Sequence, residues 1–276
     1  MGLFFNPRLR KVGNPIGLLA HIEDYTLREL NLLNEIDGRN QLIAKSKAIE
    51  AHFPMPKLKF PKMWEELSNQ HILVMEEITH PTLEKHLENN TLTWPDMLEL
   101  FRIHGAFMFG LGTFHGDLHP GNAMMDDEGN FHFIDTGAIC NAPEHVRNAL
   151  FGFFYFLAKG DLKNAFDAML TMAAVRPEGK TLQTYYDSMT ELYDGFVGTS
   201  VSEVSLTEQM MKTVKAAVLA GCAFGEEAFP IIRSLMYMDG MVLKGHPDVD
   251  LISSMGPYLD EFSVLIDPNS IVQADS

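Results

Sequence analysis

Cysteine is almost absent. Cys140 and Cys222 are the only two in 276 residues, and they form neither a C-x-x-C pair nor a zinc-ligand spacing. That argues against a disulfide framework and fits a reducing, cytosolic compartment. Positive charge is also scarce: Lys and Arg total 21 against 37 Asp and Glu, a formal net charge of −16. With a pI near 5.0 and no Lys/Arg cluster, a nucleic-acid partner is not expected. No apolar run approaches the roughly 18 residues that span a bilayer. The densest stretch, Ala149–Ala158 (ALFGFFYFLA), reads as a buried helix. A secretory signal is missing as well, because the chain opens Met-Gly-Leu-Phe-Phe and turns basic only at Arg8, Arg10 and Lys11, the reverse of secretory order. Asn6 leaves the myristoylation pattern incomplete. This apolar tip with its three cations reads as a packed terminus, or else as a peripheral contact with an anionic membrane. There is no G-x-G-x-x-G, no internal repeat and no low-complexity segment.

What is present is a chain long enough to bury a sizeable core, as one large domain or two lobes, and one stretch dense in chemistry. Residues 115–137 read HGDLHPGNAMMDDEGNFHFIDTG. Asn122 follows Asp117 by five residues, as in the protein-kinase catalytic loop H-R-D-x-x-x-x-N, and Asp135 opens an Asp-Thr-Gly triplet where kinases carry Asp-Phe-Gly. The residue types suit the task. Magnesium is a hard cation that takes oxygen ligands, so the Asn122 amide oxygen and the Asp135 carboxylate are its candidate ligands, with phosphates completing the shell. Asp117 is the candidate catalytic base, placed to orient an attacking hydroxyl or water and accept its proton. Between two strand-like runs, Ala123–Met125 and Phe131–Ile134, Asp-Asp-Glu-Gly-Asn is a good hairpin turn, which returns Asp135 beside Asn122.

His119 stands two residues after Asp117, where protein-serine kinases usually have Lys. It reads either as a phosphate contact that strengthens on protonation or as a hydrogen-bonded loop residue. His115 reads as structural. Thr136 replaces the Phe that packs the kinase triplet onto the helix above, which removes an apolar contact.

Around this string the spacing predicts a long helix over residues 23–50, with Leu27, Leu30, Leu33, Ile36 and Leu42 on one stripe. Pro54, Pro56 and Pro61 then interrupt helix formation, and His71–Glu77 reads as a buried strand leading into a hinge. Helices are expected over Thr82–Asn89 and Pro95–Leu111, the latter capped near Thr93 or Trp94. Beyond Asp135 the expected helices are Pro143–Lys159, Asp161–Ala174, Gly179–Val197, Leu206–Ala220, Phe229–Lys244 and Gly256–Leu265, with Asp161 as a cap. The many Met and Phe residues there are core filler.

Three segments together resemble the UbiB/AarF family of atypical kinases linked to ubiquinone biosynthesis: Glu29–Leu42 (ELNLLNEIDGRNQL), Leu111–Gly137, and Phe229–Leu259 with Arg233-Ser234, Asp239-Gly240 and Pro257-Tyr258-Leu259. The resemblance spans about residues 23–262. It implies an α+β, protein-kinase-like fold, with a partial small lobe over residues 1–78 and a helical large lobe over 79–276. It implies ATP and Mg2+ as cofactors. It equates Glu35 with the helix glutamate that pairs with the ATP-binding lysine, Glu29 and Asn31 with an acidic pair, and Glu76 and Ile78 with the hinge backbone that meets adenine. Read without the resemblance, Glu35 is an ordinary solvated helix glutamate.

The family's K-x-G-Q segment and V-A-x-K lysine have no counterpart before Glu29, where Lys11 is the only lysine. The expectation is therefore a fragment, one half of a split protein whose partner supplies the absent elements, or a degenerate member. A small-molecule phosphotransferase of the aminoglycoside or choline kinase kind also uses H-G-D-x-H-P-G-N followed by I-D-x-G. A non-catalytic, pseudokinase-like regulator is the third reading.

Overall fold

The computed structural model describes residues 30–266. Of the long helix expected over 23–50, the described part is α1, Leu33–Ile49; the positions up to Glu29 lie outside the described residues. Ile36, Gly38 and Leu42 face inward, whereas Leu30 is 67% exposed, so the leucine stripe meets the core along only part of its length.

The strand expected at His71–Glu77 does not form. The segment makes isolated bridges, Met63 to Met75 and Asn69 to Ile72, and Ile72 is 55% exposed. Trp64 N–H donates to the Val74 carbonyl (2.9 Å) and Glu76 N–H to the Lys62 carbonyl (2.8 Å). These bonds, with the isolated bridges, hold the segment against residues 62–69, and among the described residues no sheet pairs with the apolar run at 72–75.

Helix α2, Leu83–Glu88, is capped by Thr82. Helix α3, Trp94–Gly105, opens with a reciprocal capping box between Thr93 and Asp96, which satisfies two otherwise orphaned N–H groups. It continues as a π-helical turn, Ala106–Leu111, in place of the expected regular helix; such turns recur at functional sites. Strand β2, Thr113–His115, then runs inward, fully buried.

A short sheet supports the chemistry-bearing string. β3, Ala123–Met125, pairs antiparallel with β4, Phe131–Phe133, and β1, Leu58–Lys59, adds in parallel to β4. The β3–β4 turn is built by Asp126, whose Oδ1 accepts from Glu128 N–H (3.1 Å) and Asn130 N–H (2.7 Å). Beyond the triplet, β5, Ile139–Asn141, returns antiparallel to β2.

The rest is helical: α4 Glu144–Ala158, α5 Leu162–Thr171, α6 Gly179–Tyr193, α7 Leu206–Leu219, α8 Phe229–Gly245 and α9 Leu251–Phe262. The ALFGFFYFLA run is the buried part of α4, with Phe151 and Phe153 wholly inside, and α4 packs on α5 and α9. Asp161 caps α5 as expected. Helix α9 starts five residues before the expected Gly256, because Asp250 caps it and Leu251 and Ile252 anchor its first turn in the core; Pro257 is accommodated inside it. A small ladder, Ala173–Val175 (β6) with Ala223–Phe224 (β7), has no sequence signal, because its pairing is long-range.

Asp239 in α8 is buried and accepts three bonds at the start of α7, from Ser205 Oγ (2.6 Å), Leu206 N–H (3.1 Å) and Thr207 N–H (3.0 Å). The Asp239-Gly240 motif is thus a cap supplied across space. No helix among the described residues is long and apolar enough to cross a membrane.

Candidate functional site

The hairpin register places the expected residues together. Ala123 pairs with Phe133, and Ile134 N–H donates to the Asn122 carbonyl (3.1 Å), so Asp135 emerges beside Asn122. The Asn122 Nδ2 donates to the Asp117 carbonyl (3.0 Å), which orients the side chain and leaves Oδ1 as its candidate ligand atom. A carboxylate and an amide oxygen are the donor set that magnesium takes.

The loop is held from behind. His115 Nδ1 accepts from Asp117 N–H (3.2 Å), Gly116 N–H donates to the Ala138 carbonyl (2.7 Å), and Arg233 Nε donates to the Gly116 carbonyl (3.1 Å). A Cβ on Gly116 would collide with Cys140 Sγ, so only glycine lets β2 and β5 approach here. Burial pushes the His115 imidazole down to about 4, against the Asp117 charge and the Asp135 backbone. His115 is therefore a neutral acceptor, which agrees with a structural role. Behind it, His104 is forced down to about 3 by burial and by His115, and its Nε2 meets Ser234 Oγ at 2.6 Å.

Glu35 reaches the triplet. Its Oε2 accepts from Thr136 N–H (2.5 Å), while the Thr136 hydroxyl donates to the Glu35 carbonyl (2.7 Å). Thr136 is fully buried, so two hydrogen bonds to α1 stand where a kinase triplet packs its Phe ring. Among the described residues no lysine pairs with Glu35. Burial, and after it the charge of Asp135, raise the Glu35 carboxyl to about 7, against the Thr136 and Gly137 N–H groups. Two carboxyls facing each other are a place where a cation is favourable.

Gly38 makes this approach possible, since a Cβ there would collide with the Thr136 carbonyl oxygen. The signal that could have found it is a glycine inside a helical pattern, which marks close backbone approach. The Arg233, Ser234 and Thr136 contacts carry no local signal.

The other expected residues have partners of their own. His119 is exposed; its Nδ1 accepts from Gly121 N–H (3.1 Å) and its ring stands edge-on to Tyr237, with centroids 5.7 Å apart. The loop-hydrogen-bond reading describes Nδ1, and only Nε2 is left to meet a ligand. Glu76 is exposed and its Oε2 accepts from Lys62 N–H (2.9 Å); Ile78 is half-buried. Asn31 Oδ1 accepts from Leu33 N–H (3.3 Å) at the start of α1.

The ABC1 atypical kinase-like domain matches residues 4–169. The probable protein kinase UbiB of Pasteurella multocida (strain Pm70) is 21% identical over 264 residues, covering 93% of this chain and 49% of that protein. The chloroplastic protein ACTIVITY OF BC1 COMPLEX KINASE 3 of Arabidopsis thaliana is 24% identical over 265 residues, covering 91% and 35%. The chain thus spans about half the length, or less, of the curated relatives it matches. The Rv3197–erythromycin complex structure from Mycobacterium tuberculosis has a TM-score of 0.50 at 16% identity, covering 91% of this chain and 61% of that one; that likeness concerns the fold alone.

Proposed function

Because the chain belongs to the ABC1 atypical kinase-like family, we propose that it binds a magnesium–nucleotide complex at the Asp117–Asn122–Asp135 corner and acts there as a phosphotransferase or ATPase. The observation that supports this reading is the joint placement of Asn122 Oδ1, the Asp135 carboxylate and Glu35 around one corner of the β3–β4 hairpin. Bound magnesium neutralises charge on the transferring phosphate.

The rest is done by the chain. Asp135 and Asn122 hold the cation. Asp117, its backbone fixed through His115 and Arg233, orients the attacking hydroxyl and accepts its proton. The Glu76–Ile78 backbone meets adenine, and His119 Nε2 faces the phosphates. Glu35 keeps α1 seated on the triplet. Support of isoprenoid-quinone biosynthesis is the physiological part of the proposal, and it rests on the names of the UbiB relatives.

Thermal unfolding with and without Mg-ATP tests the binding. A ligand at a hundred times its Kd stabilises by about 2.7 kcal/mol, or roughly 5 °C and upward for a chain of this size. Asp135→Asn abolishes the shift, whereas Asp117→Asn keeps it and loses turnover. No shift in the wild type, or an equal shift in Asp135→Asn, refutes the site. One observation favours a second reading, a nucleotide-binding scaffold without turnover: Glu35 is engaged by Thr136 N–H. Equal, background-level phosphate release by the wild type and Asp117→Asn, with the Mg-ATP shift intact, selects it.

A further inference from the structure

The β3–β4 hairpin carries a second group of ligand-type side chains that the proposed chemistry does not use. Asp126 opens the hairpin turn, His132 lies in the middle of β4, and His80 comes from the segment just before α2. One ligand atom from each of the three lies within 4.8 Å of the others. His132 Nε2 is 3.2 Å from Asp126 Oδ2, and the His80 and His132 rings lie 5.6 Å apart at an inclination of 31°.

Tetrahedral zinc binds at about 2.0–2.1 Å, which by geometry separates its ligand atoms by about 3.3 Å. The Asp126–His132 edge already has this length. The His80 edges are no longer than 4.8 Å.

Turn formation accounts for half of the Asp126 carboxylate. Oδ1 takes the Glu128 and Asn130 N–H groups, while Asn130 Nδ2 bonds Oδ2 at 2.8 Å and steadies it facing His132. That is the support which orients a metal-binding carboxylate from outside. His80 makes no hydrogen bond or ion pair among the described residues, so the hairpin gives it no other task.

We propose that His80, Asp126 and His132 form a site for a divalent transition ion of the zinc class, with water in the fourth position. Two imidazoles and a carboxylate select such an ion over magnesium or calcium, which take oxygen donors. The site is separate from the Asn122–Asp135 corner: His132 precedes Asp135 by three residues, roughly 10 Å of extended chain. Metal here would tie the 76–82 segment to the hairpin that delivers Asp135.

The test is a zinc titration of the full, chelator-stripped chain against a chromophoric chelator, repeated with Co2+ to read coordination from its visible absorption. One equivalent binds to the wild type with a tetrahedral cobalt spectrum. His132→Ala and His80→Ala each weaken it at least tenfold, and Asp135→Asn leaves it unchanged. His80→Ala is the decisive variant, because His80 lies outside the turn and its removal leaves the hairpin hydrogen bonds intact. Absence of a saturable equivalent, equal affinity in His80→Ala, or loss in Asp135→Asn overturns the proposal.

Discussion

Glu35→Gln should change how stability depends on pH, and in one direction. In the folded chain burial and the Asp135 charge raise the Glu35 carboxyl from 4.5 to about 7. A raised carboxyl means that the folded state holds its proton more tightly than the unfolded state does. Stability from this group is therefore fully present below about pH 4.5 and is lost as pH rises toward 7. At about 1.36 kcal/mol per pH unit the difference is about 3 kcal/mol, and screening by water at a partly open carboxyl brings it to about 2 kcal/mol. Glutamine keeps the oxygen that accepts from Thr136 N–H and removes the titration. The unfolding midpoint of Glu35→Gln, measured in metal-free buffer, should exceed that of the wild type by about 4 °C at pH 8 and match it near pH 5. Taking the difference between the two proteins also removes the opposite slope from His104 and His115. Their depressed values, about 3 and about 4, cost stability as pH falls below 6.5. Parallel pH curves for wild type and Glu35→Gln would refute the reasoning; so would a variant less stable at pH 8.

Two further changes probe the frame. Gly38→Ala places a methyl group against the Thr136 carbonyl and should cost about 1–3 kcal/mol, with weaker Mg-nucleotide binding; a midpoint within about 1 °C of wild type would show that α1 yields easily. Asp239→Ala removes three bonds at the start of α7 and should cost about 2–4 kcal/mol, read as a lowered unfolding midpoint, with Asp239→Asn retaining part of it.

The features legible in the sequence are the local ones. The turn at Asp126 and the caps at Thr93 and Asp161 depend on residues within four positions of one another, and the hairpin pairs residues no more than ten apart, so spacing alone brings Asn122 and Asp135 to one corner. His71–Glu77 reads as a strand and makes only isolated bridges, because an apolar run becomes a strand only with a sheet to pair with, and among the described residues none lies beside it. The spacing starts α9 at Gly256, yet the Asp250 cap and packing of Leu251 and Ile252 start it earlier, with Pro257 inside it. Glu35 can be located from the family helix pattern, but its engagement by Thr136 cannot. A backbone N–H has no sequence signature, and the threonine reads only as a missing aromatic ring. The His80–Asp126–His132 group is hidden for a related reason, since Asp126 reads as a turn former and His80 lies 46 residues before it.

The double hydrogen bond between Glu35 and Thr136 removes a degree of freedom. A triplet seated by an apolar ring can swing while the helix above stays in place, because dispersion contacts have no direction. Here two directional bonds and a glycine-permitted backbone approach fix Asp135 to α1. The Asp135 carboxylate, the candidate metal ligand, and the helix then behave as one lever, and any force that shifts α1, from another segment or another protein, moves Asp135 by a comparable distance. Regulation of such a site would act on the position of a helix and not on the rotamer of a side chain.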